Sequence, residues 1–363
     1  MPGSSEVNAE AFSFELQHAT TPYGSSVRLT SETVTKRLGP KAFEPSNRYR
    51  LATWLNHLED SHRIVYYICD KQRSSVWTRR CIRQTDCILV LHMADSKFSD
   101  KPTMIETALK EDQTKVTKVL VLLHSQHKDY PTVGRTAQWL NSRPWISQHF
   151  HIRCPSRVLA PRNKQALVSL YTQVFTQEKP NPFADMSRLA RCLTGKAIGL
   201  VLGGGGARGA AHVGIIKIFQ EAGIPVDMIG GTSIGSFMGA LWAEEPRIAP
   251  FTQRAREFCS SFTSLWAKLK DLTYPTVSIF SGREFNSALK TVFKNRQIED
   301  LWLPFFCITT DITNCKMRVH SNGELWRFVR ASMSYPILLP PIGDPMDGAL
   351  LVDGVFTNNV PGI

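Results

Sequence analysis

The chain has no uninterrupted apolar run near the roughly 18 to 20 residues that a membrane-spanning helix needs, which leaves any membrane contact to the surface. Its first residues, MPGSSEVNAE, lack the apolar stretch of a secretory signal. The eight cysteines (Cys69, Cys81, Cys87, Cys154, Cys192, Cys259, Cys307 and Cys315) include no CxxC pair and no metal-ligand rhythm. In a chain of 363 residues that pattern fits reduced thiols of the cytosol better than a disulfide framework. There is no long basic block and no regular interleaving of Lys and Arg with aromatics. The formal charge of +12 therefore points to an anionic lipid surface ahead of nucleic acid, with ordinary solvated charge as the plain alternative. No internal repeat or low-complexity tract stands out. With 42% hydrophobic and 20% charged residues, the composition is globular and the length suits two domains.

Residues 1–14 read as a polar, poorly ordered tail. From 15 to 177, apolar runs alternate with helical patterns: RIVYYIC (63–69), CILVLHM (87–93), KVLVLLH (118–124) and, more weakly, FHIRC (150–154), separated by YRLATWLNHLED, TMIETALKEDQ and RTAQWLN. Buried strands alternating with helices predict a small parallel α/β domain. It holds no glycine-rich phosphate loop and no nucleophile motif, so a scaffold or docking role is its default. The polar, Pro-containing stretch over 178–194 reads as a linker, with the boundary near 178 to 185.

The domain expected over 195–363 opens with AIGLVL (197–202), a buried strand followed directly by Gly203-Gly204-Gly205-Gly206-Ala207-Arg208-Gly209. A helix comes next, with Ala211, Ile215, Phe219 and Ala222 on one face and Gly223 and Pro225 as its stop. A second strand, VDMIGG (226–231), runs into Thr232-Ser233-Ile234-Gly235 and another helix. Both sharp loops therefore sit at the carboxyl ends of strands, where open α/β sheets bind ligands.

Gly231-Thr232-Ser233-Ile234-Gly235 is a G-x-S-x-G sequence between a predicted strand and a predicted helix. That context is what a nucleophilic serine needs: a tight turn, with Gly231 and Gly235 letting strand and helix approach, and a helix N-terminus beside the attacking oxygen. The glycine loop can aim successive N–H groups at a developing oxyanion, each donor worth about 2.7–4 kcal/mol of barrier. It also matches the dinucleotide pattern G-x-G-x-x-G over 204–209, with Asp227 near where a ribose-binding acid is sought. Against that reading, Asp227 opens its strand, and dinucleotide binders require no second motif.

A serine nucleophile needs a base, and the α/β-hydrolase order of serine, acid, histidine is not available. No histidine follows Asp353, and between Ser233 and Asp353 the only one is His320, in a polar stretch that resembles a hairpin. His212 follows the glycine loop among small residues, where a packed or capping role is the commoner one. A Ser–Asp dyad is the economical solution. LLVDG (350–354) delivers Asp353 from an apolar strand at a glycine turn, although on these residues alone an ordinary turn aspartate prevails.

GGGGARG, GTSIG, RASMSYPILLPP (330–341) and LVDG, in that order, closely resemble the patatin-like phospholipases, and among them the neuropathy target esterase group of lysophospholipases. The likeness runs from about residue 12 to the last. It implies a patatin-like α/β/α domain preceded by a smaller α/β domain. It also implies a dyad of Ser233 and Asp353, an oxyanion hole of Gly204, Gly205 and Gly206 with Arg208 closing the loop, and no metal or other cofactor. The implied substrates are lysophospholipids and phospholipids cleaved at the acyl ester, at the cytosolic face of the endoplasmic reticulum membrane. Three departures accompany it. The N-terminal membrane helix and cyclic-nucleotide-binding-like domains of larger members are missing. Val355 stands where the family has Gly or Ala, a costly exchange if the backbone there needs positive φ. Chain 195–363 also reads as C-terminally incomplete, ending at Ile363 soon after Asp353. The last two favour a second class of function, a catalytically silent lipid- or protein-binding relative; the intact GGGGARG and GTSIG favour the enzyme. A dinucleotide-binding α/β protein is the third. The stretch FTSLWAKLKDLTYP (262–275) is either a buried helix segment or a lipid contact near the substrate entrance.

Overall fold

The computed structural model describes residues 1–2, 7–70, 75–96, 106–107, 109, 116–159, 163–261 and 271–362. The expected helix over TMIETALKEDQ falls almost wholly outside these residues, as does most of FTSLWAKLKDLTYP. The chain divides into two α/β units, one of residues 1–129 and 139–196, the other of residues 130–138 and 197–363.

The first unit contains two small parallel sheets. Strands β1 (Ser26–Leu29) and β2 (Ile64–Tyr67) pair in one. In the other, β3 (Cys87–Met93), β4 (Thr117–Ser125) and β5 (Gln148–Cys154) lie side by side in chain order. The apolar runs marked β2 to β5 within a few residues. β1, SVRL, was not marked, because four residues with one charge carry too little periodicity. β4 is buried over seven consecutive residues, as a central parallel strand covered on both faces must be.

Two expectations about this unit are corrected. The described part of residues 1–14 is no tail: Met1 and Pro2 lie along β3, and Ala9–Thr20 is a helix capped by Asn8, whose Oδ1 accepts Ala11 N–H at 3.1 Å. Its Phe12, Leu16 and Ala19 are buried and Phe14 stacks on Tyr171 with ring centroids 4.7 Å apart, so apolar residues spaced through a polar-looking sequence decide its fate. Nor is 178–194 a linker throughout. Asp185–Leu193 is a helix with Met186, Leu189 and Ala190 in the core. Asp185 is buried and accepts from Arg153 N–H and Nε and from Arg188 Nη1 at 2.7–3.0 Å. The division falls between Lys196 and Ala197, and residues 130–138 join the second unit through Tyr130 Oη to Glu245 Oε2 (2.6 Å) and Gly134 N–H to Asp300 Oδ2 (2.7 Å).

The second unit is built on one mixed sheet. Strands β6 (Gly199–Leu202), β7 (Met228–Gly231) and the first half of β8 (Phe305–Asp311) are parallel neighbours. Strand β9 (Lys316–His320) returns antiparallel along β8. Cys307 pairs with Gly231 of β7 and with His320 of β9, so those strands lie on opposite edges of β8. Thr309 pairs with Arg318 of β9 and with Asp353 of β11 (Leu350–Asp353). Strands β7 and β11 therefore share one edge of β8, β7 along its first half and β11 antiparallel along its second. The short β10 (Ile342–Gly343) extends β11.

Helix Ile234–Glu244 packs on β6, β7 and β8, and Leu325–Ser332 on β8 and β11. Between and beside them Phe237, Phe258 and Phe293 form an aromatic cluster, with Phe237 and Phe258 centroids 3.8 Å apart. In helix Ala211–Glu221 the core takes Ile216, while Ile215 is exposed, a rotation from the expected face. Val213 and Ile216 meet the core together, and that packing overrides the face read from the sequence.

Asp185 offers a test of the first unit. Burial pushes its carboxyl up, and the Arg188 and Arg153 guanidiniums more than reverse this, holding it below the ordinary carboxylate range. A depressed folded-state pKa contributes stability above the unfolded value, lost as pH falls through the folded one. Asp185→Asn strands Arg188 and is expected to cost about 3–5 kcal/mol in chemical denaturation at neutral pH, with the difference from wild type shrinking on acidification below 3.8.

Candidate active site

The sequence turn Gly231-Thr232-Ser233 leaves β7 and enters the helix at once, and Ser233 stands at its N-cap with φ 54° and ψ −126°. A non-glycine residue there carries strain of about 1–3 kcal/mol, maintained only where the surroundings over-determine it. Here they do. Strand, turn and helix are pressed so close that a Cβ at Gly235 would lie 2.1 Å from Leu202 O, and one at Gly231 would lie 2.4 Å from the Gly235 carbonyl carbon. Thr232 N–H is tied to Leu202 O at 3.0 Å. Ser233 N–H donates to Ser332 Oγ at 2.9 Å, and Ser332 Oγ–H donates to Ile308 O at 2.7 Å.

The half-buried Ser233 hydroxyl donates to Asp353 Oδ2 at 2.7 Å, across 120 residues of sequence. Asp353 is 1% exposed. Its Oδ1 accepts Val355 N–H at 3.0 Å, its own N–H donates to Ser334 O at 3.0 Å, and its carbonyl accepts Thr310 Oγ1 at 2.9 Å. Burial raises its pKa above the usual carboxylate value, against the opposing pull of the Ser233 hydroxyl and the Val355 amide. The carboxylate is thus fixed in position and made more basic. Val355 lies in a 3-10 turn, Gly354–Phe356, and is not among the positive-φ residues, so a β-branched side chain fits there without strain.

The glycine loop borders the pair: a Cβ at Gly204 would lie 3.0 Å from Ser233 Cβ. Gly206 has φ 58° and starts a 3-10 turn, Gly206–Ala210, in which Arg208 N–H donates to Gly205 O at 3.2 Å. The Arg208 side chain points outward. Among the described residues, the Gly205 and Gly206 N–H groups have no hydrogen-bond partner.

The histidines are elsewhere engaged. His212 Nε2 bonds Gly203 O at 3.0 Å, which fits a packing role. His320, on the β8–β9 hairpin, bonds Thr309 Oγ1 at 2.7 Å and stacks on Phe328. Asp227 is buried at the opposite end of β7 from the glycine loop, its carboxylate accepting Ile198 N–H at 2.9 Å. That removes it from any ligand in the loop. Among the described residues no group of His, Cys, Asp and Glu could hold a metal ion.

Sequence reasoning did not single out Ser332, Ser334 or Asn359. The first two lie in RASMSYP, Ser332 as the last residue of helix Leu325–Ser332 and Ser334 two residues beyond, and only that place at a helix end could have suggested a role. Asn359, whose Oδ1 accepts Gly204 N–H at 2.8 Å, had no signal, because its partner is 155 residues away.

Two profiles divide the chain close to where its structure does, apart from residues 130–138. One described as a neuropathy target esterase family P-loop like domain matches residues 1–195, and a patatin-like phospholipase profile matches residues 200–361. The second unit is therefore a patatin-like phospholipase domain. The chain belongs to the neuropathy target esterase family. It is similar to patatin-like phospholipase domain-containing protein 7 of Rattus norvegicus (50% identity, 99% of this chain, 26% of the relative). It is similar also to patatin-like phospholipase domain-containing protein 6 of Homo sapiens (48%, 99% and 26%) and to neuropathy target esterase sws of Drosophila erecta (48%, 100% and 24%). The chain spans about a quarter of the length of these relatives.

Ser332→Ala tests the support of the elbow. It leaves the Ser233 N–H without its acceptor, so chemical denaturation is expected to give a loss of about 1–3 kcal/mol. Ser233 should also react more slowly with a fluorophosphonate.

Proposed function

We propose that this chain hydrolyses the acyl ester of lysophospholipids and phospholipids, converting lysophosphatidylcholine to glycerophosphocholine and a fatty acid. The observation that carries the reading is the 2.7 Å hydrogen bond from Ser233 Oγ to Asp353 on a strained strand-to-helix turn beside the glycine loop. In this mechanism Asp353 takes the hydroxyl proton as Ser233 Oγ attacks the ester carbonyl carbon. The carbonyl oxygen becomes an oxyanion facing the loop amides. Collapse expels the glycerol oxygen, which receives the proton from Asp353, and leaves an acyl-serine. Asp353 then deprotonates a water that attacks the acyl carbon, and the proton returns to Ser233 as the fatty acid departs. Gly231 and Gly235 are the elbow glycines, and Arg208 closes the loop through its N–H to Gly205 O.

A lipid substrate is supported by the apolar surroundings. Exposed apolar side chains follow the dyad's anchoring residues in sequence: Tyr335 and Ile337 after Ser334, Phe356 after Asp353, and Tyr335 lies 5.3 Å from Phe356 between ring centroids. Ile337 is 69% exposed and held at φ 74°, an unfavourable backbone for a β-branched residue. Among the described residues no helix is long and apolar enough to cross a membrane. With the +12 charge, we assign the chain a peripheral position on phospholipid, at the cytosolic face of the endoplasmic reticulum, with no nucleic-acid partner.

Lysophosphatidylcholine hydrolysis by the purified chain tests the reading. Ser233→Ala and Asp353→Asn should each abolish turnover; persistence in either variant sinks the dyad. The base must be ionised, so kcat/KM should rise with pH through a limb centred above 3.8, the ordinary Asp value. The same shift fixes a stability sign. A raised folded-state pKa means that stability is present below the unfolded value and lost as pH rises through the folded one. Asp353→Asn should therefore leave Tm at neutral pH unchanged or higher while turnover disappears.

A further inference from the structure

Resting on the serine-hydrolase reading, we infer that Asn359 is a positioning residue. By taking the Gly204 N–H it fixes the glycine loop, so that the amides of Gly205 and Gly206, and not that of Gly204, are the donors to the oxyanion.

Of the three loop amides, that of Gly204 is already engaged, to Asn359 Oδ1 at 2.8 Å, whereas those of Gly205 and Gly206 have no partner among the described residues. The fit is tight on both sides. A Cβ at Gly204 would stand 2.9 Å from Asn359 Oδ1 and 3.0 Å from Ser233 Cβ, so the loop's first residue is held between the nucleophile and the asparagine. At Gly203 a Cβ would meet Val360 Cγ2 at 3.2 Å.

The segment that carries Asn359 is itself anchored to the site. Asn358 N–H donates to Gly354 O at 2.9 Å, Asn358 O accepts Thr232 Oγ1 at 3.2 Å, and Asn358 Oδ1 accepts Val360 N–H at 3.2 Å. The end of β11 and the short turn after it therefore deliver the base, Asp353, and the pin, Asn359. Any displacement of that turn moves both relative to Ser233. Asparagine suits this position because its amide oxygen accepts the N–H as a carboxylate would, without setting a negative charge beside a developing oxyanion.

The test reads kcat per Ser233 titrated with a fluorophosphonate, so that misfolded molecules are not counted. For Asn359→Ala we expect kcat per titrated site to fall on the order of 10-fold, short of the 10²–10³ that removal of a donor costs, with KM little changed. Asn359→Asp keeps the acceptor and should retain the titratable sites. Its kcat should be low at neutral pH while the Gly204 amide stays protected, a pairing that a purely structural residue does not produce. Independently of turnover, amide hydrogen exchange at Gly204 should be protected in wild type and fast in Asn359→Ala. Unchanged kcat per site in Asn359→Ala, or an unprotected Gly204 in wild type, overturns the inference and leaves the dyad standing. A folded wild type whose Ser233 takes no fluorophosphonate removes the hydrolase reading, and this inference with it.

Discussion

The shared edge of β8 is the constraint on which the second unit depends. A strand has two edges, and β9 occupies one from Cys307 to Asp311. The other is divided, with β7 arriving parallel and stopping opposite Cys307, and β11 arriving antiparallel and stopping opposite Thr309. The two strands run toward each other and end two residues apart. Whatever follows β7 must meet whatever ends β11, and those residues are Ser233 and Asp353. Proximity of the two groups is thus a property of sheet topology, and hydrogen bonds only refine it.

Refinement comes from closely set backbone. Leu202 O, Gly235 and Gly231 leave no room for side chains between the end of β6, the end of β7 and helix Ile234–Glu244. The helix cannot retreat, because its Phe237 is locked against Phe258 and Phe293. Ser233 is consequently held at φ 54°, with its hydroxyl directed to a buried carboxylate. Burial also raises the basicity of Asp353, at the expense of the stability that a neutral residue would give. Strain at Ser233 and an ionisable group in a closed site are both tolerated because the same core over-determines them.

The turn after Asp353 accommodates one of the departures from the family pattern, Val355. Positive φ would exclude Val355, but Gly354–Phe356 is a 3-10 turn in which Val355 contributes its N–H to Asp353 Oδ1. Gly354 is the residue that space does require, with Ile308 O only 2.6 Å from where a Cβ would be. In the first unit the corresponding constraint is electrostatic. Asp185 ties β5 to a helix that a polar, Pro-containing sequence had concealed, through Arg153 and Arg188.

The sequence by itself determined what is local. Continuous apolar runs marked β2 to β7, because consecutive apolar residues are legible without partner information, although β6, expected as a buried strand, is an edge strand in which only Leu202 is buried and β2 is half-buried throughout. G-x-S-x-G and the glycine loop marked the turns, because Gly231, Gly235 and Gly204 stand where a Cβ would collide and Gly206 takes positive φ. Ser233 and the Gly204–Gly206 loop were legible for the same reason. Asp353 was legible only through resemblance, since an aspartate at a glycine turn is common. Tertiary structure alone decided the rest. It placed a helix in the supposed tail and another in the supposed linker, since a marginal amphipathic segment folds only against a core that contributes apolar contacts. It selected Ile216 over Ile215, and it attached residues 130–138 to the second unit. It also brought Ser332 to the elbow amide and Asn359 to Gly204. Each of these depends on a partner distant in sequence, and a hydrogen bond spanning 155 residues leaves no periodicity in either segment.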